Sequence, residues 1–115
     1  MENNIYDIII IGGGQDGLTA GIYASRSQMK TLLIEKMGCG GMIALTDWIE
    51  NYPGFPDGIS GFELSSKFEQ QAKNFGLQVV LEDVTEISIS KDNPNEKIVK
   101  TSSNEYRTLA IIIAS

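Results

Sequence analysis

Asp7-Ile8-Ile9-Ile10-Ile11-Gly12-Gly13-Gly14-Gln15-Asp16-Gly17 decides how this chain is read. Four consecutive isoleucines can be buried on both faces, which suits a central strand of a parallel sheet. They run into Gly12, Gly14 and Gly17, spaced G-x-G-x-x-G. In a dinucleotide-binding turn each of these glycines has its own mechanical task. The first lets the chain turn sharply off the strand, the second lets backbone approach a pyrophosphate, and the third lets the following helix pack close to the strand. A helix starting there aims unpaired N–H groups and the positive end of its dipole at the phosphates.

The glycine spacing gains its meaning from its neighbours. A strand precedes it, a segment of small, helix-compatible residues (Leu18 to Ser27) follows, and a second strand, Thr31 to Ile34, ends in Glu35. Glu35 stands 18 positions after Gly17, near the roughly 20-residue spacing of a carboxylate that holds a ribose hydroxyl. The competing reading is a tight strand-to-helix turn in an unrelated α/β domain, with Glu35 an ordinary exposed residue.

The whole chain narrows the classes further. Its 115 residues suit one domain, and its 42% apolar content argues against disorder. A net charge of −6, with scattered Lys and Arg, makes nucleic acid and anionic membranes poor partners. One cysteine, Cys39, and no histidine exclude an internal disulfide, argue against a metal site, and remove every Ser-His or Cys-His arrangement. No apolar run reaches membrane-spanning length and the N-terminus lacks the form of a signal peptide, so a cytoplasmic location is expected.

In chain order, Ile5 to Ile11 reads as the first strand, Gly17 to about Gln28 as a helix with Ala20, Gly21 and Ala24 inward, and Thr31 to Glu35 as the second strand. Residues 36–61 read as a long irregular segment without regular structure, rich in glycine and proline and carrying many apolar groups, such as Leu45, Trp48, Ile49, Tyr52 and Phe55. A bound ligand would order it; packing as a large apolar loop, or against another subunit, are the alternatives. Ser60 to Glu63 reads as a capping box. The helix behind it buries a stripe of Leu64, Phe68, Ala72 and Phe75 and stops at Gly76. Short strands follow at Leu77 to Leu81, Val84 to Ser90 and Lys97 to Thr101. Tyr106 to Ala114 is the last, and its run from Leu109 to Ala114 is expected to be buried like the first strand. A β-meander thus returns the chain to the parallel sheet.

Several blocks together resemble the flavin half of the thioredoxin reductase family, of the low-molecular-weight type. They are Ile10-Ile-Gly-Gly-Gly14, Gly17-Leu-Thr-Ala-Gly-Ile-Tyr-Ala-Ser-Arg26, Leu33-Ile-Glu35, Gly40-Gly41, Ile49-Glu-Asn-Tyr-Pro-Gly-Phe-Pro56, Phe75-Gly76 and Ile111-Ile-Ile-Ala114. The resemblance implies an α/β, Rossmann-like FAD-binding domain over residues 1–115, with a β-meander crossover and an incomplete C-terminal end. It implies FAD, with NADPH confined to the full-length family. It places Gly12, Gly14 and Gly17, with Gln15 and Asp16 between them, at the pyrophosphate, and Glu35 at the adenosine ribose. The loop from Glu35 and Lys36 through Gly40 and Gly41 to Met42 would follow the cofactor. Thr46 and Asn51 would approach the flavin ring side, Val84 would give a backbone contact to adenine, and Ala114 would belong to a turn close to FAD.

Three departures from the family carry expectations of their own. The usual Pro-Ala is Gln15-Asp16 here, and a carboxylate in the first helical turn competes for the positive site a pyrophosphate needs, so FAD binding is expected to be weaker. The Gln that commonly follows the Gly-Gly pair is Met42. The NADPH domain, its Cys-x-x-C pair and the segment that completes the FAD site are not in these 115 residues, and Cys39 is no substitute for the pair. In the parent family, electrons pass from NADPH through FAD to the disulfide of a thioredoxin-like protein. The 115 residues alone are expected to be inactive in that cycle, with no catalytic residue of their own. The alternative is a non-catalytic, stand-alone flavin- or nucleotide-binding module that needs a partner chain; a weaker third is a remnant that keeps only the fold. An uncompleted sheet predicts self-association or a complementing chain.

Overall fold

The computed structural model describes residues 5–114, without the side chains of Met42 and Ile43. Six strands make one mixed sheet in the order β3-β2-β1-β6-β5-β4. They are β1 Ile5–Ile11, β2 Thr31–Glu35, β3 Gln78–Leu81, β4 Val84–Ile89, β5 Lys97–Thr101 and β6 Glu105–Ile113. The helices are α1 Gln15–Arg26, α2 Gly41–Ala44 and α3 Gly61–Asn74. β1 pairs in parallel with β2 and β6, and β2 with β3; β4, β5 and β6 pair antiparallel. The expected parallel sheet entered through a β-meander is therefore what the chain forms.

The four isoleucines of β1 sit between two packed layers. On one face Ile10 and Leu33 pack with Leu18 of α1, Ala72 of α3 and Leu77. On the other, Tyr6, Ile9, Leu32 and Ile34 pack with Val99 of β5. β6 lies between β1 and β5 in the sheet, yet Val99 of β5 belongs to this cluster, with Val84 of β4 and Tyr106 of β6 packed against it.

Local chemistry sets the helix ends. Ser60 caps α3, its side chain accepting from the Glu63 N–H at 3.1 Å, as the capping box predicts. At the other end Gly76, at φ 104°, donates to the Lys73 carbonyl and Leu77 to that of Ala72, a Schellman closure that needs the left-handed residue. α1 ends the same way, with Gln28 at φ 65° in the position Gly76 fills for α3.

Four expectations change. α1 begins at Gln15, two residues before Gly17, because Gly14 is its N-cap. Residues 36–61 are not without structure: they hold α2 and an Ile49–Ile59 bridge, and Ile59 is buried. Phe75 is 43% exposed and leaves the buried stripe, because it follows the last helical turn; Phe68 stays half-buried, its ring edge-on to Tyr52. The run at the end of β6 is also not buried like β1. Ile112 is 37% and Ile113 68% exposed, because β5 pairs with β6 only as far as Thr108.

Candidate functional site

The carboxyl ends of β1 and β2 open into a cleft of about 580 Å³, a size typical of small-molecule sites. At its centre the chain leaves β1 through Gly12, whose φ of 114° is a left-handed conformation that favours glycine. Gly17 is required for a different reason: a Cβ there would lie 1.9 Å from the Gly12 carbonyl oxygen. The turn can close against α1 only with hydrogen at that position.

Gly14 caps α1 without a side-chain hydrogen bond. The first N–H groups of a helix have no partner inside it, and Ser60 satisfies one of those at α3. Gly14 offers nothing of the kind at α1, and Gly14, Gln15 and Asp16 line the cleft. Asp16 is the acidic group of that first turn, exposed beside those donors.

Glu35 closes one side. Its Oε1 accepts from the Gly13 N–H at 2.5 Å and its Oε2 from the Met37 N–H at 2.9 Å. The two bonds hold the carboxylate over the glycine turn. A second glycine loop lies against the first: Gly40 donates to the Gly13 carbonyl at 2.6 Å and bridges Gly14 in parallel.

Glu82, Asp83 and Val84 form the lip beside Glu35, whose carbonyl accepts from the Glu82 N–H at 3.0 Å. Glu82 accepts from Thr101 Oγ1 at 2.6 Å, from Asn104 Nδ2 at 3.0 Å and from the Tyr106 hydroxyl at 2.9 and 3.0 Å. These bonds, Thr101 first, hold its carboxyl below the ordinary carboxylate value. Burial, then the bond to Glu82, pushes the Tyr106 hydroxyl up to about 12, so it stays a donor. The network ties the lip to β5 and β6.

Of the residues expected from the sequence, Gly12, Gly14, Gln15, Asp16, Glu35, Lys36, Gly40, Gly41, Val84 and Ala114 line this cleft. Gly17 supports the turn from behind. Thr46 and Asn51 are exposed and do not line it, and the side chain of Met42 lies outside the described residues. Sequence reasoning missed Gly13, Glu82 and Asp83. A glycine between two motif glycines shows no need of its own until Glu35 is seen against it; a Cβ there would stand 3.1 Å from that side chain. Cys39 lies outside the lining, and burial, then the charges of Glu69 and Glu35, pushes its thiol up to about 11.

The sequence profile of the pyridine nucleotide-disulphide oxidoreductases matches residues 6–115. The chain belongs to that family. Thioredoxin reductase of Bacillus subtilis (strain 168) is 46% identical over 114 residues, which cover 99% of this chain and 35% of that protein. The crystal structure of Lactococcus lactis thioredoxin reductase in its FR conformation superposes with a TM-score of 0.87 at 41% identity, over 96% of this chain and 35% of that one. A ferredoxin-flavin thioredoxin reductase from Clostridium acetobutylicum superposes with a TM-score of 0.78 at 28% identity, over 97% and 38%. The chain thus spans about a third of the length of the relatives it matches. Its fold is that of the Rossmann-like FAD-binding domain of thioredoxin reductases. Among the described residues no helix is long and apolar enough to cross a membrane, and no cluster of ligands could hold a metal ion.

Proposed function

We propose that this chain binds FAD in the cleft and serves as the flavin-holding part of a thioredoxin-reductase-like disulphide oxidoreductase. The observation that carries the reading is the uncapped N-terminus of α1, open to a cleft of about 580 Å³ that also holds the Glu35 carboxylate. Backbone from Gly12 to Gly17, with Gln15 and Asp16 between, would meet the pyrophosphate, and Glu35 the adenosine ribose. Lys36, Gly40, Gly41 and Met42 would run along the cofactor, and Val84 and Ala114 would touch it from the meander and from the end of β6. Thr46 and Asn51 would belong to the flavin-ring side.

FAD, when bound, supplies two-electron chemistry that takes hydride from a nicotinamide and reduces a disulfide. The residues of this chain bind and orient it. The parent cycle would run from NADPH to the disulfide of a thioredoxin-like protein. One related structure is that of a ferredoxin-flavin thioredoxin reductase, so the electron donor is a separate question from the fold.

Titration of the purified protein with FAD, read by flavin fluorescence, tests the reading. Saturable binding is expected. Asp16→Ala should tighten it about two- to fivefold, since removing the carboxylate frees the positive end of α1. No binding by either protein would defeat the proposal; unchanged or poorer affinity in the variant would defeat the role given to Asp16.

A second reading is favoured by one observation: residues 1–115 hold a single cysteine, which cannot form a redox pair. The chain would then be a flavin-binding module that pairs with a copy of itself or with a complementing chain along β6. There no strand among the described residues pairs with β6 beyond Thr108 on the side of β5, and Leu109 and Ile113 are exposed. Sedimentation at rising concentration should show self-association; a clean monomer at high concentration would refute that part.

A further inference from the structure

The cleft does not account for a second, smaller space. Between α1 and α3 a cavity is lined by Gln15, Leu18, Gly40, Leu64, Ser65 and Phe68, with about 10 Å³ open to the centre of a water molecule. That is close to the lower limit for holding one water. Ser65 is only 6% exposed, and its Oγ is buried with no hydrogen-bond partner among the described residues. A buried hydroxyl left unmatched is destabilising, and such groups in folded proteins are satisfied by protein or by ordered water.

The position of Ser65 gives that hydroxyl a consequence. It presses on the Gly40 turn: a Cβ built on Gly40 would stand 2.5 Å from Ser65 Oγ and 2.7 Å from the Ala44 Cβ. Gly40, in turn, donates to the Gly13 carbonyl and bridges Gly14. Only one backbone hydrogen bond separates the α3 hydroxyl from the glycine turn of the cleft. Gln15 lines both the cavity and the cleft, and it is the other polar side chain on the cavity wall.

We propose that this cavity binds a single water molecule, held by Ser65 Oγ with Gln15 and Gly40, and that through it Ser65 is a positioning residue for the two glycine loops. The water contributes the missing partner to Ser65, accepting or donating as the hydroxyl rotates. It couples α3 to the Gly40 turn and thereby to Gly13 and Gly14. The positioning role rests on the FAD reading above; the water site does not.

Ser65→Ala and Ser65→Thr test both parts, the second keeping the hydroxyl. Three measurements are needed: a crystal structure that resolves ordered water, denaturation of the protein without FAD, and FAD titration. Density for a water within hydrogen-bond distance of Ser65 Oγ is expected. Ser65→Ala should unfold at a lower denaturant midpoint than the parent and bind FAD about 3- to 10-fold more weakly; Ser65→Thr should recover both. If Ser65→Ala is as stable as the parent or more so, the hydroxyl had no partner to lose and the water site is overturned. A structure with Ser65 bonded instead to the Gly61 carbonyl, and no water, overturns it equally. If Ser65→Ala unfolds earlier but neither protein binds FAD, the water site stands and the cofactor reading falls, taking the positioning role with it.

Discussion

β1 and β6 are neighbouring parallel strands that end in nearly the same residues, and they meet opposite surroundings. Ile9 pairs with Ile111, Ile10 with Ile112 and Ile11 with Ile113. Ile9 and Ile10 are both 0% exposed, whereas Ile112 is 37% and Ile113 68% exposed. β1 has a strand on each side, helices on one face and the meander over the other. β6 has β1 on one side and, beyond Thr108, no strand on the other. Lys97 reaches past the last pair, its Nζ donating to the Leu109 carbonyl at 3.2 Å, a charged side chain set on an otherwise open edge. Identical hydrophobicity is therefore a core in one strand and a surface in the next.

The largest test of this contrast is truncation at the paired positions. Ile10→Ala should cost about 3 kcal/mol, the transfer term plus a cavity that two packed layers cannot close. Ile112→Ala should cost about 1 kcal/mol or less, because its surroundings already admit water. Urea denaturation of both variants measures the gap, and equal losses would break the comparison.

The first half of β6 is held differently, through Glu82, and acid should reveal it. The carboxyl of Glu82 lies below its ordinary value of 4.5 in the folded chain. Its contribution is thus complete above the unfolded value and is lost as pH falls through the folded one. Denaturation midpoints of parent and Glu82→Gln should differ at pH 7 and converge below pH 4.5. A difference that persists in strong acid would mean that the charge of Glu82 has no part in holding Thr101, Asn104 and Tyr106.

A smaller change in stability, with a visible change in association, is expected at the open edge. Ile113→Lys should leave the denaturation midpoint within about 0.5 kcal/mol of the parent. It should also shift any self-association towards monomer, because a charge on the edge opposes strand pairing. Sedimentation of the two proteins at matched concentration reads this directly; association unchanged by Ile113→Lys would place the contact elsewhere. The least perturbing probe is Cys39, which packs on the helical side of the sheet. With its thiol pushed up to about 11 from an ordinary 9.0, alkylation at pH 8 should run about tenfold slower than for a free thiol, the loss of thiolate being partly offset by its greater nucleophilicity. Rapid labelling would show that this side opens.

Much of the fold was legible because its signals are local. The isoleucine run, the glycine spacing, Glu35 at the end of β2, the Ser60 cap and the Gly76 stop all act within one turn or one strand of where they are read. The candidate site was legible to the same extent: ten of its expected residues line one cleft. Glu82 was not, because its meaning lies in three partners 19 to 24 positions away that only the meander brings to it.

The sequence by itself determined the strand-turn-helix unit, since a Cβ at Gly17 would strike the Gly12 carbonyl whatever else the chain did. It also determined the family, through blocks that span most of its length. Tertiary structure alone decided which isoleucines are core. Burial depends on what lies across a strand and above it, and β1 and β6 carry the same residues into different neighbourhoods. It decided as well that Ser65, a serine within α3 with no sequence signal of its own, faces a cavity beside the glycine loops, because that contact requires α3 and the Gly40 turn to be packed together first.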